Sequence, residues 1–138
     1  MKNNSIIVTQ LDYQRLRQLA YSGDTRNKGS AENLHRLIME IKKAKVVKPT
    51  RIDPDVVTMN TELELTDLDS NTTRRLKLVY PQQANIGRGY VSILAPVGTA
   101  LLGYKKGDII EWDVPSGKKR FLIKEILFQP EANGEDIF

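Results

Sequence analysis

Pro49 and Pro54 divide the chain into two stretches with different hydrophobic periods, and that change of period constrains the fold more than any other feature. Ahead of the prolines, apolar residues recur at helical spacing. Residues 9–21 are expected to form a first helix. Thr9 can cap it, Asp12 sits at its third position in an Asp variant of the capping box, and Val8 and Tyr13 have the spacing of a hydrophobic staple. Leu16, Leu19 and Ala20 continue the stripe. A polar loop with two glycines follows over residues 22–30. Ser30 is placed to cap a second helix through about residue 46, with Glu32 in its first turn and Leu34, Leu37, Ile38, Ile41 and Ala44 on one face. Two helices on a short loop should lie antiparallel, as a short coiled coil over residues 1–51.

Beyond the prolines the period becomes two. Leu63 and Leu65 alternate with Glu62, Glu64 and Thr66, and Leu76, Leu78 and Tyr80 alternate with Arg75, Lys77 and Val79. Further strands are expected at 90–95, 109–114 and 119–128, separated by turn signals at Asp67 to Asn71, Gly87 to Gly89, Gly107-Asp108 and Ser116-Gly117. Pro96 to Leu102 reads as a short helix, with Pro near its start and Gly103 at its end. The expected class is α+β: a helical hairpin over 1–51, then an antiparallel sheet domain over 52–138 with one short helix on its face.

Charge is unevenly spread. Residues 1–51 carry 11 Lys/Arg against 4 Asp/Glu, a net of +7, and residues 52–138 carry 10 against 13, a net of −3; together they give the chain's +4. A positive arm on a mildly negative body suits steering toward an acidic partner, and equally suits a solvated, soluble helix face. The chain has no cysteine, which excludes disulfides and thiolate metal sites. Ile6, Ile7 and Val8 are too short a run for a signal peptide, and no run approaches the ~20 apolar residues of a bilayer span. A cytoplasmic monomer without membrane contact is expected.

The segment from Val91 to Phe128 carries a family resemblance. Its Ala95-Pro96-Val97-Gly98-Thr99-Ala100-Leu101-Leu102-Gly103, Lys106-Gly107-Asp108 and Pro115-Ser116-Gly117 match, in order, the Ser-Pro turn, the short helix ending in Ile-Gly, the Gly-Asp turn and the Pro-Gly-Gly of the Gre transcript-cleavage factors. Asp55-Val56-Val57-Thr58-Met59-Asn60, Leu78-Val79-Tyr80-Pro81 and Gln129-Pro130-Glu131-Ala132 more closely resemble the related Rnk family of nucleoside diphosphate kinase regulators. The resemblance covers roughly residues 54–138 in letters and the N-terminal third in layout. It implies an FKBP-like C-terminal domain docking on the rim of the RNA polymerase secondary channel, with Ala95, Pro96, Val97, Gly98, Gly107 and Asp108 at the contact. It also implies a hairpin entering that channel, with contact to DNA or RNA in the complex.

Gre hairpin tips present two acids on the pattern Gly-Asp-x-x-Glu, which help hold a metal ion at the polymerase centre. Here the segment reads Gly23-Asp24-Thr25-Arg26-Asn27, so an amide replaces the second acid and brings no charge to a cation. Asp24, Arg26 and Lys28 are the expected tip residues; as a plain turn residue beside Gly23, Asp24 needs no partner at all. A second helix of ~17 residues reaches only about 25 Å. Lys42, Lys43, Lys45 and Lys48 form a basic arm that could meet phosphates or simply complement a helix C-terminus.

Nothing in the chain forms a catalytic set. His35 is the only histidine and has no second His or Cys to join it in holding a metal. Trp112 alternates with Ile110 and Val114 on an inward stripe and reads as core. No phosphate-binding loop, dinucleotide fingerprint or Ser-His-Asp set occurs, and no cofactor is expected. The expected protein is a non-enzymatic, polymerase-binding transcription regulator that competes with Gre-type factors without stimulating cleavage. Two alternatives stand beside it: a cleavage-stimulating factor using Asp24 and Glu32, and a modulator of nucleoside diphosphate kinase.

Overall fold

In the computed structural model, which describes residues 6–22, 28–114 and 117–133, a strand precedes the first helix. Strand β1 (Ile7–Thr9) runs into helix α1 (Gln10–Ser22); helix α2 (Lys28–Lys43) follows, and strand β2 (Lys45–Val47) returns parallel to β1. The Asp12 N–H donates to Thr9 Oγ1 at 3.1 Å, so Thr9 caps α1 as its hydroxyl chemistry dictates. α2 begins before Ser30 and ends three residues short of the expected 46. Its last turn tightens as the Ala44 N–H donates to Ile41 O (3.0 Å), and the Lys45 N–H then leaves the helix to donate to Ile6 O (2.8 Å). The β-branched Val46 and Val47 suit the extended chain that results. The tip of the expected hairpin, residues 23–27, lies outside the described residues.

A turn of 3-10 helix at Pro49–Arg51 leads to a buried loop, residues 56–60, where the two-residue period begins too early to be strand. Strands β3 (Glu62–Asp67), β4 (Thr72–Val79), β5 (Tyr90–Ser92), β6 (Ile109–Val114) and β7 (Gly117–Phe128) form one sheet in the order β5-β4-β3-β7-β6. All pairs are antiparallel except β4–β5, which is parallel. The sheet is therefore mixed, not wholly antiparallel. The chain from Pro81 to Gly89 spends its length on two 3-10 turns and so can re-enter alongside β4 in the same direction. β5 is three residues long rather than six, because Ile93, Leu94 and Ala95 already turn into helix α3 (Pro96–Leu101).

α3 touches β5 at one edge of the sheet and β6 at the other, and α2 packs against α3. One continuous core results. Ile6, Val8, Leu16, Leu37 and Ile41 come from the N-terminal third; Val57, Met59, Leu63, Leu65, Leu78, Ile93, Leu101, Leu102, Ile110 and Ile123 come from the rest. Each such side chain stabilises by about 1.5–3 kcal/mol on burial. The side chain of Trp112, expected in this core, lies outside the described residues.

Candidate functional site

Four surfaces and one buried cluster carry the chemistry available among the described residues. The first surface is the basic shoulder. Lys42 and Lys43 end α2, Lys45 opens β2 and Lys48 follows it; all four are exposed, as the sequence suggests. Their backbone comes from a helix end, a strand and a loop, so only Lys42 and Lys43 complement the helix dipole. The remaining two stand where the chain re-enters the body. Of the tip residues, Asp24 and Arg26 lie outside the described residues, and Lys28 is the first residue of α2. His35 is exposed on α2.

The second surface is the turn from β5 into α3. Pro96 sits at the first helical position, and Ala95 ahead of it offers no side-chain cap. Two hydroxyls hold the turn ahead of the helix instead: Ser92 Oγ accepts the Leu94 N–H (3.0 Å), and the Thr99 hydroxyl donates to Ile93 O (2.6 Å). Gly98 is buried with its Cα against the Ser92 carbonyl, where a Cβ has no room. Val97 packs partly on the core. Gly98 thus serves the close approach of helix and strand, and Ala95 and Val97 are each half-exposed.

The third is the turn at Lys105–Asp108, next to the opposite edge strand, β6. Asp108 Oδ2 accepts the Lys105 N–H (2.9 Å), the Asp108 N–H donates to Lys105 O (2.9 Å), and Gly107 adopts φ +92° in open space. Gly107 is needed for its backbone angle alone. The expected docking residues therefore fall on two sites joined by the length of α3.

The fourth is the loop between β4 and β5, which sequence reasoning passed over as turn signals. Residues 82–88 are all exposed, and Ile86 at 91% is the most exposed of the large apolar side chains in the described residues. An isoleucine among Asn, Gly and Arg, in a stretch with neither a helical nor a strand period, is the signal that could have found it.

The buried cluster joins α1 to the sheet domain. Asp12 was read as a capping acid, but its Oδ2 accepts the Met59 N–H at 3.1 Å, 47 residues away, and the residue is only 6% exposed. Burial pushes its carboxyl up to about 7; Glu131 nearby adds to this, while the Met59 N–H, Arg15 and Thr9 oppose it. The Tyr80 phenol, beside Asp12 and Arg15, is raised well above its usual range, chiefly by burial. Glu131 accepts from the Thr58 hydroxyl (2.7 Å), and Thr58 and Thr61 share a hydroxyl contact of 2.9 Å. Close by, Gln129 Nε2 donates to Asp53 O (2.8 Å) and Val56 O (2.7 Å), pinning the linker to the end of β7. Together these hydrogen bonds tie α1, the loop at 56–61 and the end of β7 into one buried junction.

Among the described residues no three His, Asp or Glu side chains are grouped to hold a metal ion, and no helix is long and apolar enough to cross a membrane. Two helices packed against a mixed five-stranded sheet, with exposed lysines where the second helix re-enters the body, make up the architecture of the described residues. The chain belongs to the GreA/GreB family: residues 52–128 match "Transcription elongation factor, GreA/GreB, C-term", and residues 4–47 match "Rnk N-terminus". In particular, it is 35% identical over 140 residues to the "Regulator of nucleoside diphosphate kinase" of Escherichia coli K12, covering 98% of each chain. It is 36% identical over 87 residues to the transcription elongation factor GreA of Sulfurovum sp. NBC37-1, covering 63% of this chain and 54% of that one. The solved "Prokaryotic transcription elongation factor GreA/GreB from Nitrosomonas europaea" superposes with a TM-score of 0.73 at 37% identity, covering 92% of this chain and all of that one.

Proposed function

We propose that this protein is a non-enzymatic regulator of bacterial RNA polymerase. Its helical hairpin sits on an FKBP-like sheet domain, which docks on the rim of the secondary channel while the hairpin obstructs the entrance and displaces Gre-type factors. The observation that carries this reading is the near full-length likeness to the "Regulator of nucleoside diphosphate kinase" of Escherichia coli K12, within a family that includes GreA transcription elongation factors. Two features support a role without cleavage. Asn27 takes the place of the second tip acid, and α2 has 16 residues, about 24 Å of helix. The turn from Ala95 to Val97 and the turn at Gly107-Asp108 supply rim contacts, with Gly98 holding the first in shape. Lys42, Lys43, Lys45 and Lys48 face the acidic channel mouth or the nucleic acid in it.

Binding to core polymerase, measured with and without a saturating Gre factor, tests the proposal. Binding that a Gre factor abolishes is expected; undiminished binding in its presence overturns the competition. A backtracked elongation complex tests the cleavage clause: no shortening of the RNA is expected, and shortening that depends on Asp24 would establish a Gre-type factor instead. The printed name of the E. coli relative favours a second reading, modulation of nucleoside diphosphate kinase. That reading requires a change in kinase activity with no polymerase present.

A further inference from the structure

The loop between β4 and β5 has a composition that its neighbours do not. From Ser70 to Gly107 the chain has six cations, Arg74, Arg75, Lys77, Arg88, Lys105 and Lys106, and no carboxylate, although Arg75 pairs with Glu62 of β3, Lys106 pairs with Glu125 of β7, and Lys105 and Lys106 lie by the far edge of the sheet. Within that span β5 is a free edge of the sheet, and the loop ahead of it lifts Ile86 into solvent. A lone exposed apolar side chain is ordinary on a protein surface. What distinguishes this one is the rigidity of its mount. Asn85 and Tyr90 exchange two backbone hydrogen bonds of 2.9 Å, the Arg88 N–H donates to Asn85 O (3.0 Å), and the Gly89 N–H donates to Ile86 O (3.0 Å). Gly89 adopts φ +77°, its missing Cβ would stand 3.0 Å from Arg75 O, and its own carbonyl accepts the Lys77 N–H (2.9 Å). The tip is thereby locked to β4. A group held this way gives up little freedom on binding, which is what makes an apolar anchor effective. Arg88 stands exposed two residues on, and the Lys77 ammonium lies 5.3 Å from the centre of the half-buried Tyr90 ring, keeping a second cation at this edge.

We infer that Ile86, flanked by Arg88 and Lys77, is a fixed anchor for a protein surface that offers an apolar pocket rimmed by carboxylates. Resting on the polymerase reading above, we place that pocket on the polymerase, as a contact beyond the Ala95 and Gly107 turns. The exposed Arg88, with Lys77 behind it, selects an acidic rim, and the aliphatic tip selects a pocket. A second copy of this chain is disfavoured, since it would bring two cationic edges together. Phosphates would engage the cations but leave Ile86 unused.

The test is equilibrium binding of fluorescently labelled full-length protein to core polymerase. Ile86→Ser is expected to weaken binding about tenfold or more, with Ile86→Leu near wild type. Arg88→Glu should weaken it at least as much, and Lys124→Ser, exposed on β7, should leave it unchanged. Because Ile86 contributes almost nothing to the core, all four variants should melt with the wild type. If the wild type itself fails to bind, the polymerase reading falls and this contact with it. If the wild type binds and Ile86→Ser binds equally well, this inference is overturned while the polymerase reading stands. Binding that ignores Ile86→Ser but is lost in Arg88→Glu and competed by single-stranded DNA would make the edge a nucleic-acid surface and overturn the inference. A change of oligomeric state on Ile86→Ser would do the same, by showing a second copy to be the occupant.

Discussion

Asp12 couples α1 to the body through one carboxylate, and its proton decides how well. Its folded value of about 7 lies above the ordinary carboxylate value of 3.8. The folded state therefore binds more protons than the unfolded state between those values, and stability falls as pH rises from about 4 to about 7. Below that window the protonated acid is accommodated without penalty. Above it the full cost of a buried charge is present, moderated by Arg15 and the Met59 N–H and worsened by Glu131. Asp12→Asn keeps an acceptor for Met59 and removes the charge. Urea denaturation from pH 4 to 8 should show the variant gaining on the wild type across the window; a pH-independent difference would mean that Asp12 titrates like a surface acid. Gly103 makes a second prediction. It adopts φ +84°, and the Ile6 side chain and Ile7 N–H fill the space of a Cβ. Gly103→Ala should cost about 2 kcal/mol or more in the same measurement. The capping pattern at Thr9 was legible because it needs only neighbours in sequence. Asp12's burial was not, since it depends on Met59, Tyr80 and Glu131, which only the folded chain brings near.

Among the elements, legibility followed length and punctuation. α3 was readable almost to the residue because Pro96 and Gly103 bracket it, and β6 because six alternating residues lie between two turns. β1 and β2 were missed: three residues each is too short for a period of two to outvote the helices beside them. The parallel entry of β5 was missed for a different reason, since strand direction depends on the path of the connection and leaves no mark in the strand. At the candidate site, the exposure of the four lysines was readable from their charge, although Lys45 and Lys48 stand on a strand and a loop where a helix end was expected. Gly98 was not readable as a packing residue, because nothing local announces how closely β5 approaches. β2 also separates backbone from charge. The Lys45 N–H holds Ile6 O, while the Lys45 side chain is exposed. Lys45→Pro deletes the donor and should cost about 3 kcal/mol in thermal unfolding. Lys45→Ala keeps it and should fall within about 0.5 kcal/mol of the wild type. Equal losses in the two variants would assign the effect to the side chain.

Over the whole molecule, the division at the prolines is a division of pattern and not of stability. Read alone, the stripe of Leu16, Leu37 and Ile41 finds its partner in the facing helix. In the folded chain it is continuous with Leu101 and Leu102 of the α3 segment and with Met59 beneath, while β1 is tied to the end of α3 by the Ile7 N–H and Gly103 O. A pair of helices this short is marginal by itself in water, so the sheet domain holds it, and it in turn covers apolar surface that the sheet domain would expose. The two helices are therefore fixed to the sheet domain where they share its core, and cannot swing there as a free lever. The thermodynamic consequence is one cooperative transition. Far-ultraviolet dichroism, dominated by the helices, and tyrosine or tryptophan emission, dominated by the sheet domain, should melt together. Leu37→Ala, on the arm but with no exposed surface, should lower both signals' midpoints by the same amount, reflecting about 2–5 kcal/mol. Two separated transitions, or a shift confined to the helical signal, would show that the two helices fold independently of the sheet domain.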